Sequence, residues 1–211
     1  MKEIEGFVLN GGMSTRMGAP KGGLRIGQVT FAEHAANALR AICDRVYAVG
    51  GELAVSGIET LADVDWDGKN ERASIFGLRS ALLHCSTKRA AVLACDMPFV
   101  TGEVLSRLVD DIQVLEAGEA DVIIPSDKNG RLQPLCAIYE RDRCRAAIDA
   151  YLRTGERTIR DVVSTLRQHR IENANFADLE NGETVFLNIN TPADFDLAAG
   201  FWTKESSTKT T

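Results

Sequence analysis

The chain has 211 residues, 45% of them hydrophobic and 26% charged, with a formal net charge of −6. This length accommodates one α/β domain whose core needs no disulfide or metal staple, and the acidic balance leaves no electrostatic footprint for nucleic acid. No apolar run reaches the roughly 18 residues of a membrane span, and Met1-Lys2-Glu3-Ile4-Glu5 lacks the apolar centre of a secretory signal; a cytoplasmic protein, with no membrane contact, is expected.

Residues 4–9 form a short apolar run that reads as a buried first strand. It leads directly into Leu9-Asn10-Gly11-Gly12-Met13-Ser14-Thr15-Arg16-Met17-Gly18-Ala19-Pro20-Lys21-Gly22. Gly11 and Gly12 allow a sharp turn and bring bare N–H groups close to a ligand. Arg16 and Lys21 add two fixed positive charges, and backbone donors plus cations beyond a strand suit a polyphosphate. A P-loop is excluded, because Lys21 is preceded by Pro20 and followed by Gly22 rather than Ser or Thr. The dinucleotide fingerprint is also absent, since the glycines fall at 11, 12 and 18. A plain surface turn rarely concentrates this many glycines and cations.

Strands and helices then alternate. Thr30 is placed to cap a helix through Phe31, Ala35, Leu39 and Ile42, and strands are expected at 45–49 and 58–62. A helix through Ile75, Leu78, Leu82 and Leu83 precedes a strand at 90–94; Thr101 caps another through Val104, Leu105, Leu108, Val109 and Ile112. Strands follow at 120–125 and 132–139, separated by the turn signal Asp127-Lys128-Asn129-Gly130, which suggests an antiparallel hairpin. Helices at 141–152 and 159–166, strands at 168–173 and 184–188, a helix at 193–199 and a disordered polar tail at 203–211 complete the reading of one domain over 1–202. This alternation implies right-handed crossovers and a largely parallel sheet covered on both faces, with ligands bound beyond the carboxyl ends of the strands.

Three separate turns fall at such ends. Asp96, in Cys95-Asp96-Met97-Pro98, is a carboxylate suited to Mg²⁺, a hard ion that takes one or two protein oxygens together with phosphates. The alternative for Asp96 alone is an ordinary turn aspartate. In Asn188-Ile189-Asn190-Thr191-Pro192, Thr191 and Pro192 are explained as the start of a helix, whereas Asn188 interrupts an apolar strand and needs a partner; Asn188 or Asn190 can face the site. The five cysteines, at 43, 85, 95, 136 and 144, form no C-x-x-C pair and read as core residues, and a nucleophilic Cys95 has no neighbouring base in sequence. His34, His84 and His169 are far apart and read as structural or solvent-facing.

The glycine-rich loop resembles the signature G-G-x-x-x-R-M-G-x-x-K of the sugar-nucleotide and related nucleotidyltransferases, and the chain is most similar to the molybdenum cofactor guanylyltransferases. The resemblance continues at Cys95–Pro98, at Arg131-Leu132-Gln133-Pro134-Leu135 and at Phe186-Leu187-Asn188-Ile189-Asn190-Thr191-Pro192. It implies a three-layer, Rossmann-like α/β fold of the nucleotide-diphospho-sugar transferase type, mostly parallel with an antiparallel portion. It also implies transfer of GMP from GTP to the terminal phosphate of molybdopterin, with Mg²⁺ on Asp96 and release of pyrophosphate. The implied nucleotide site comprises Leu9, Asn10, Gly11, Gly12, Arg16, Lys21, Asp63, Gly77 and Asp96, of which Arg16, Lys21 and Asp96 carry the catalysis. Gln133, Arg131, Arg157, Asn188 and Asn190 would line the acceptor side, where Arg131 is alternatively a solvated hairpin residue. Transient contact with molybdoenzymes or their chaperones follows from the same resemblance.

The chain departs from the family where a nucleoside would be read. A Gly-Pro-Leu-Ala-Gly-like turn is replaced by Ala73-Ser74-Ile75-Phe76-Gly77-Leu78, and the asparagine that ends the second strand appears as Val49 or is displaced into Gly50-Gly51. Among Asp63, Asp65 and Asp67, Asp63 is the chosen match to a family aspartate. These departures leave open a cytidylyltransferase or another relative with a different base. A non-catalytic nucleotide-binding or cofactor-delivery protein is the alternative from another class, against which both Lys21 and Asp96 are retained.

Overall fold

The computed structural model describes residues 3–10, 21–51, 55–68, 73–182 and 184–208, with only the main chain described at Lys21 and at 202–208. Gly11, Gly12 and Arg16 therefore lie outside the described residues, as does the Lys21 side chain.

The first strand, β1 (Ile4–Leu9), is buried along its whole length. After residues 11–20 and a 3₁₀ turn at Lys21–Gly23, a small ribbon forms from β2 (Arg25–Ile26) and β3 (Val29–Thr30). The sequence reading misses this ribbon, although Ile26-Gly27-Gln28-Val29 is a glycine-led two-residue loop between β-branched residues, and Gly27 has a φ of +63°. Helix α1 (Phe31–Arg40) starts where expected. Thr30 accepts from the Glu33 N–H, and the Glu33 carboxylate accepts from the Thr30 N–H, a complete capping box.

The chain then forms β4 (Val46–Val49), β5 (Glu59–Leu61), α2 (Ser74–His84), β6 (Arg89–Ala94), α3 (Gly102–Asp110) and the short α4 (Gln113–Glu116). Strand β7 (Val122–Pro125) is joined by a hairpin to β8 (Cys136–Glu140). Helices α5 (Arg141–Arg153) and α6 (Ile159–Ser164) lead to β9 (Gln168–Ile171), and α7 (Pro192–Thr208) comes last. Among the described residues the main sheet has the order β5-β4-β1-β6-β8-β7-β9. All neighbours are parallel except at β8, which runs antiparallel to β6 and β7.

The two sheet faces bury separate cores. Ile4, Val8, Ala91, Leu93 and Ile138 meet α1 and α3, whereas Phe7, Leu9, Val92, Val122 and Tyr139 meet α2, α5 and α6. The result is the expected three-layer α/β architecture with a reversed strand.

Three expectations are corrected. Strand β8 begins at Cys136 rather than 132, because Pro134 has no N–H to offer a central ladder. Its carbonyl instead accepts from the buried Tyr139 hydroxyl at 2.6 Å. Residues 184–188 form turns rather than a strand; Leu187 N–H donates to the Thr184 carbonyl, while Val185, Phe186 and Ile189 bury their side chains without a ladder. The final helix runs to Thr208 through six residues of the segment expected to be disordered. Beyond Ala199 only Gly200 disfavours helix, at about 1 kcal/mol, and no proline stops it.

Candidate functional site

Because β1, β4, β5 and β6 are parallel, their carboxyl ends open on one edge of the sheet, and main-chain hydrogen bonds continue across that edge beyond the strands. Gly50 N–H donates to the Leu61 carbonyl at 3.4 Å, Asn10 N–H to Val49 at 2.9 Å, Cys95 N–H to Leu9 at 3.2 Å and Ile189 N–H to Asp96 at 2.9 Å. This row brings together positions from four distant parts of the chain. Asn10, Asp63, Asp96 and the Asn188–Asn190 turn, all singled out from sequence, stand along it.

Each is held in a particular way. Cys95 Sγ donates to Asn10 Oδ1 at 3.7 Å. Asp63 lies over Gly50, where a methyl group on the glycine would be 2.9 Å from Asp63 Oδ2. Gly77, in the first turns of α2, faces Leu9: a methyl there would lie 3.7 Å from Leu9 Cδ1. Leu9 itself is buried, so its side chain belongs to the core beneath this edge. The Lys21–Gly23 turn precedes α1, and Phe31 N–H donates to the Leu24 carbonyl, which keeps this segment at the start of α1.

Asp96 follows β6 in a turn whose Met97 N–H donates to Ala94 and whose Val100 N–H donates to Met97. Its Oδ1 is sealed from water. A carboxylate oxygen turned inward at a strand's carboxyl end is a hard donor of the kind Mg²⁺ takes singly when phosphates and waters complete the shell. Asp96 therefore fits the implied metal. No cluster of three metal-binding side chains occurs among the described residues, and Mg²⁺ bound with a nucleotide requires none.

The acceptor-side residues do not form one group. Gln133 is buried, and its amide donates to Asp127 Oδ2 at 3.4 Å and to the Arg131 carbonyl at 3.0 Å. Asp127 Oδ1 accepts from the N–H groups of Asn129 and Arg131, both at 2.9 Å. The hairpin thus uses these polar groups on itself, while the Arg131 side chain is exposed. Arg157 lies elsewhere, 3.5 Å from the Asp67 carboxylate and over the Phe76 ring at 5.6 Å. That places it beside the first turn of α2, where the family has its Gly-Pro-Leu-Ala-Gly-like segment, and the positions Asp67 and Phe76 that hold it carry no sequence signal of that pairing. Asn188 Nδ2 donates to the Phe186 carbonyl at 3.4 Å, and Asn190 is exposed. Thr191 and Asp194 cap α7 reciprocally, at 3.2 and 2.8 Å.

The remaining titratable candidates are structural. All five cysteines are buried thiols, and burial pushes Cys85 to about 11 and Cys136 to about 12; such thiols are poor nucleophiles. His34 and His84 contact main-chain carbonyls, and His169 meets Asp111 at 2.9 Å. No helix among the described residues is long and apolar enough to cross a membrane.

Residues 6–171 match the model of the MobA-like NTP transferase domain. A probable molybdenum cofactor guanylyltransferase of Geobacillus sp. is 30% identical over 200 residues, covering 93% of this chain and 98% of that one. The molybdenum cofactor guanylyltransferase of Desulfosudis oleivorans is 27% identical, with 94% and 95% covered. In fold, the chain is similar to molybdopterin-guanine dinucleotide biosynthesis protein A from Archaeoglobus fulgidus, with a TM-score of 0.75, 23% identity and coverage of 95% and 99%. It is similar also to 2-C-methyl-D-erythritol 4-phosphate cytidylyltransferase from Thermus thermophilus, with a TM-score of 0.64, 17% identity and coverage of 92% and 96%. With its glycine-rich loop, its reversed-strand sheet and its carboxyl-edge aspartate, the chain belongs to the MobA-like NTP transferase family and is a nucleotidyltransferase of the molybdenum cofactor guanylyltransferase type.

Proposed function

We propose that the enzyme transfers GMP from GTP to the terminal phosphate of molybdopterin. The alignment of Asn10, Asp63 and Asp96 along one sheet edge carries this reading, because those positions follow three different strands and meet where the fold binds ligands. A phosphate oxygen of the acceptor attacks the α-phosphorus in line, forming one P–O bond as the bond to pyrophosphate breaks. The acceptor is already anionic near neutral pH, so no general base is needed.

The protein's part is positioning and neutralisation. Main-chain N–H groups at 10–12, with Arg16, hold the β- and γ-phosphates. Lys21 would act nearest the α-phosphate and offset the charge of the crowded transition state. Asp96 would hold Mg²⁺, which would supply neutralisation of phosphate charge. Gly77 and Leu9 form the apolar floor, and Asp63 faces the nucleoside. Arg157 and Arg131 supply charge for the acceptor, with Gln133, Asn188 and Asn190 along its path. Activity in the cytoplasm and hand-over of the product to molybdoenzymes or their chaperones complete the reading.

A cytidylyltransferase is the second reading, favoured by the unusual 73–77 turn, where Ala73 gives α2 no side-chain cap. Thermal-shift measurement of the protein with Mg²⁺ and each of GTP, CTP, ATP and UTP decides between them. Selective stabilisation by GTP is expected, and preference for CTP refutes the guanylyl assignment. Pyrophosphate release with GTP and molybdopterin tests catalysis; binding without release leaves only a nucleotide carrier.

A further inference from the structure

Gly50 and Gly51 end β4 with φ values of +79° and +68°, a region that residues with a Cβ rarely occupy. Their conformation is shared with other turn glycines, but their surroundings are not. A methyl group on Gly50 would stand 2.9 Å from Asp63 Oδ2, and one on Gly51 would stand 3.1 Å from Asn10 Nδ2. At Gly118, also left-handed with a φ of +71°, the nearest atom to such a methyl is 3.9 Å away. At Gly130 and Gly155 the space is open. Among the left-handed glycines whose surroundings are described, crowding by polar side-chain ends is particular to this pair: groups that follow two other strands fill the volume where side chains at 50 and 51 would be.

We infer that Gly50-Gly51 is a positioning platform that holds the Asp63 carboxylate and the Asn10 amide at the carboxyl edge of the sheet, where they select the nucleoside part of the nucleotide. This rests on the nucleotidyltransferase reading. The Asp63 carboxylate is negative, so it repels a polyphosphate and accepts hydrogen bonds only from groups such as ribose hydroxyls or base N–H. Asn10 offers the complementary donor through Nδ2, while Oδ1 accepts from the Cys95 thiol at 3.7 Å. Both groups are short side chains, and neither can lie this low over a neighbour that carries a Cβ.

Calorimetric titration with Mg·GTP and with Mg·tripolyphosphate, which has the phosphates and no nucleoside, tests the platform. Gly50→Ala is expected to weaken GTP about tenfold, the fold equivalent of one hydrogen bond to a charged group, and to leave tripolyphosphate binding unchanged. In an Asp63→Ala background, Gly50→Ala is expected to have no further effect, as a residue acting through Asp63 must. Gly118→Ala, which places the same backbone strain far from crowding, is expected to bind both probes as the wild type does. If Gly50→Ala does not fold, Gly50→Asn replaces it, because asparagine tolerates left-handed φ. Equal loss of GTP and tripolyphosphate, additive losses in the double variant, or wild-type GTP affinity in Gly50→Ala each overturns the inference. A wild-type chain that binds neither probe instead overturns the nucleotidyltransferase reading on which it stands.

Discussion

The two edges of the central sheet carry acids in opposite settings. On the amino edge, Glu5 is buried and accepts from the Ser86 N–H at 2.6 Å and from Arg45 at 2.9 Å. Asp121 is buried between Arg143 at 2.7 Å and Arg167 at 2.6 Å, and Arg89 meets Glu116 at 3.0 Å. On the carboxyl edge, Asp63 is exposed over a glycine, and Asp96 sits in a turn with its main-chain carbonyl bonded to Ile189. An acid saturated with guanidinium and N–H partners has nothing left for a ligand and contributes to stability. Under the proposed function the acids set against glycine and main chain on the carboxyl edge serve the chemistry, and the two tasks would lie a strand's length apart.

Substitution on the carboxyl edge should therefore cost activity without stability. Asp96→Asn is expected to lower the rate of pyrophosphate release at least about 100-fold, the effect of losing one contact made to developing charge, with an unchanged melting temperature. Loss of folding in parallel with rate would place Asp96 with the structural acids instead. Lys21→Ala is expected to behave in the same way.

The amino edge should show the reverse. Asp121→Asn is expected to lower stability by about 1–3 kcal/mol, because it leaves partly buried guanidinium groups without their anion. The kinetic constants should stay at wild-type values. Arg143 and Arg167 are 40% and 53% exposed, so water compensates part of the loss and the lower half of that range is favoured. Urea unfolding measures it. A reduced kcat with full stability would contradict the division between the edges.

Acid sharpens the same comparison. Burial alone would push the Asp121 carboxyl up, but hydrogen bonds and charge from Arg167, with Arg143, hold it below the usual range. Burial likewise opposes ionisation of Glu5, and the Ser86 hydrogen bonds with Arg45 hold it down. A carboxyl lowered on folding contributes stability that is fully present above its unfolded value, about 4, and is lost as pH falls through the folded value. The wild type should hold its urea midpoint from neutrality to about pH 5 and weaken below about pH 4. The Glu5→Gln, Asp121→Asn double variant should weaken less steeply there. Parallel acid profiles would show that these acids do not set the slope.

Legibility from sequence followed the range of the interactions involved. The bounds of β1 and the start of α1 were readable because a short apolar run and a capping threonine at 30 are local signals. The reversed strand was announced by Asp127–Gly130, whose turn is closed by its own side chain. Residues 184–188 misled, because Val185 and Phe186 satisfy an apolar pattern through packing alone. The place of Asp96 beyond β6 could be read from the apolar run that precedes it. Gly50-Gly51 looked like an absence, a missing asparagine, and its role depends on Asp63 and Asn10, which approach only in the folded chain.

Arg157 tests how far the division between edges extends, since it stands beside the start of α2 yet already has partners. Asp67 at 3.5 Å, the Phe76 ring, and the Leu152 and Glu156 carbonyls share its guanidinium. Arg157 and Asp67 are 24% and 25% exposed, so Arg157→Ala should cost no more than about 1 kcal/mol of stability. Its assignment to the acceptor requires a second effect, a rise in the KM for molybdopterin with the GTP affinity unchanged. A guanidinium partly neutralised by Asp67 offers less to an incoming phosphate than a free one, so that rise should be smaller than the loss at Asp96. If GTP affinity falls instead, Arg157 belongs with Phe76 to the nucleoside side, and the 73–77 turn and Arg157 are one recognition surface.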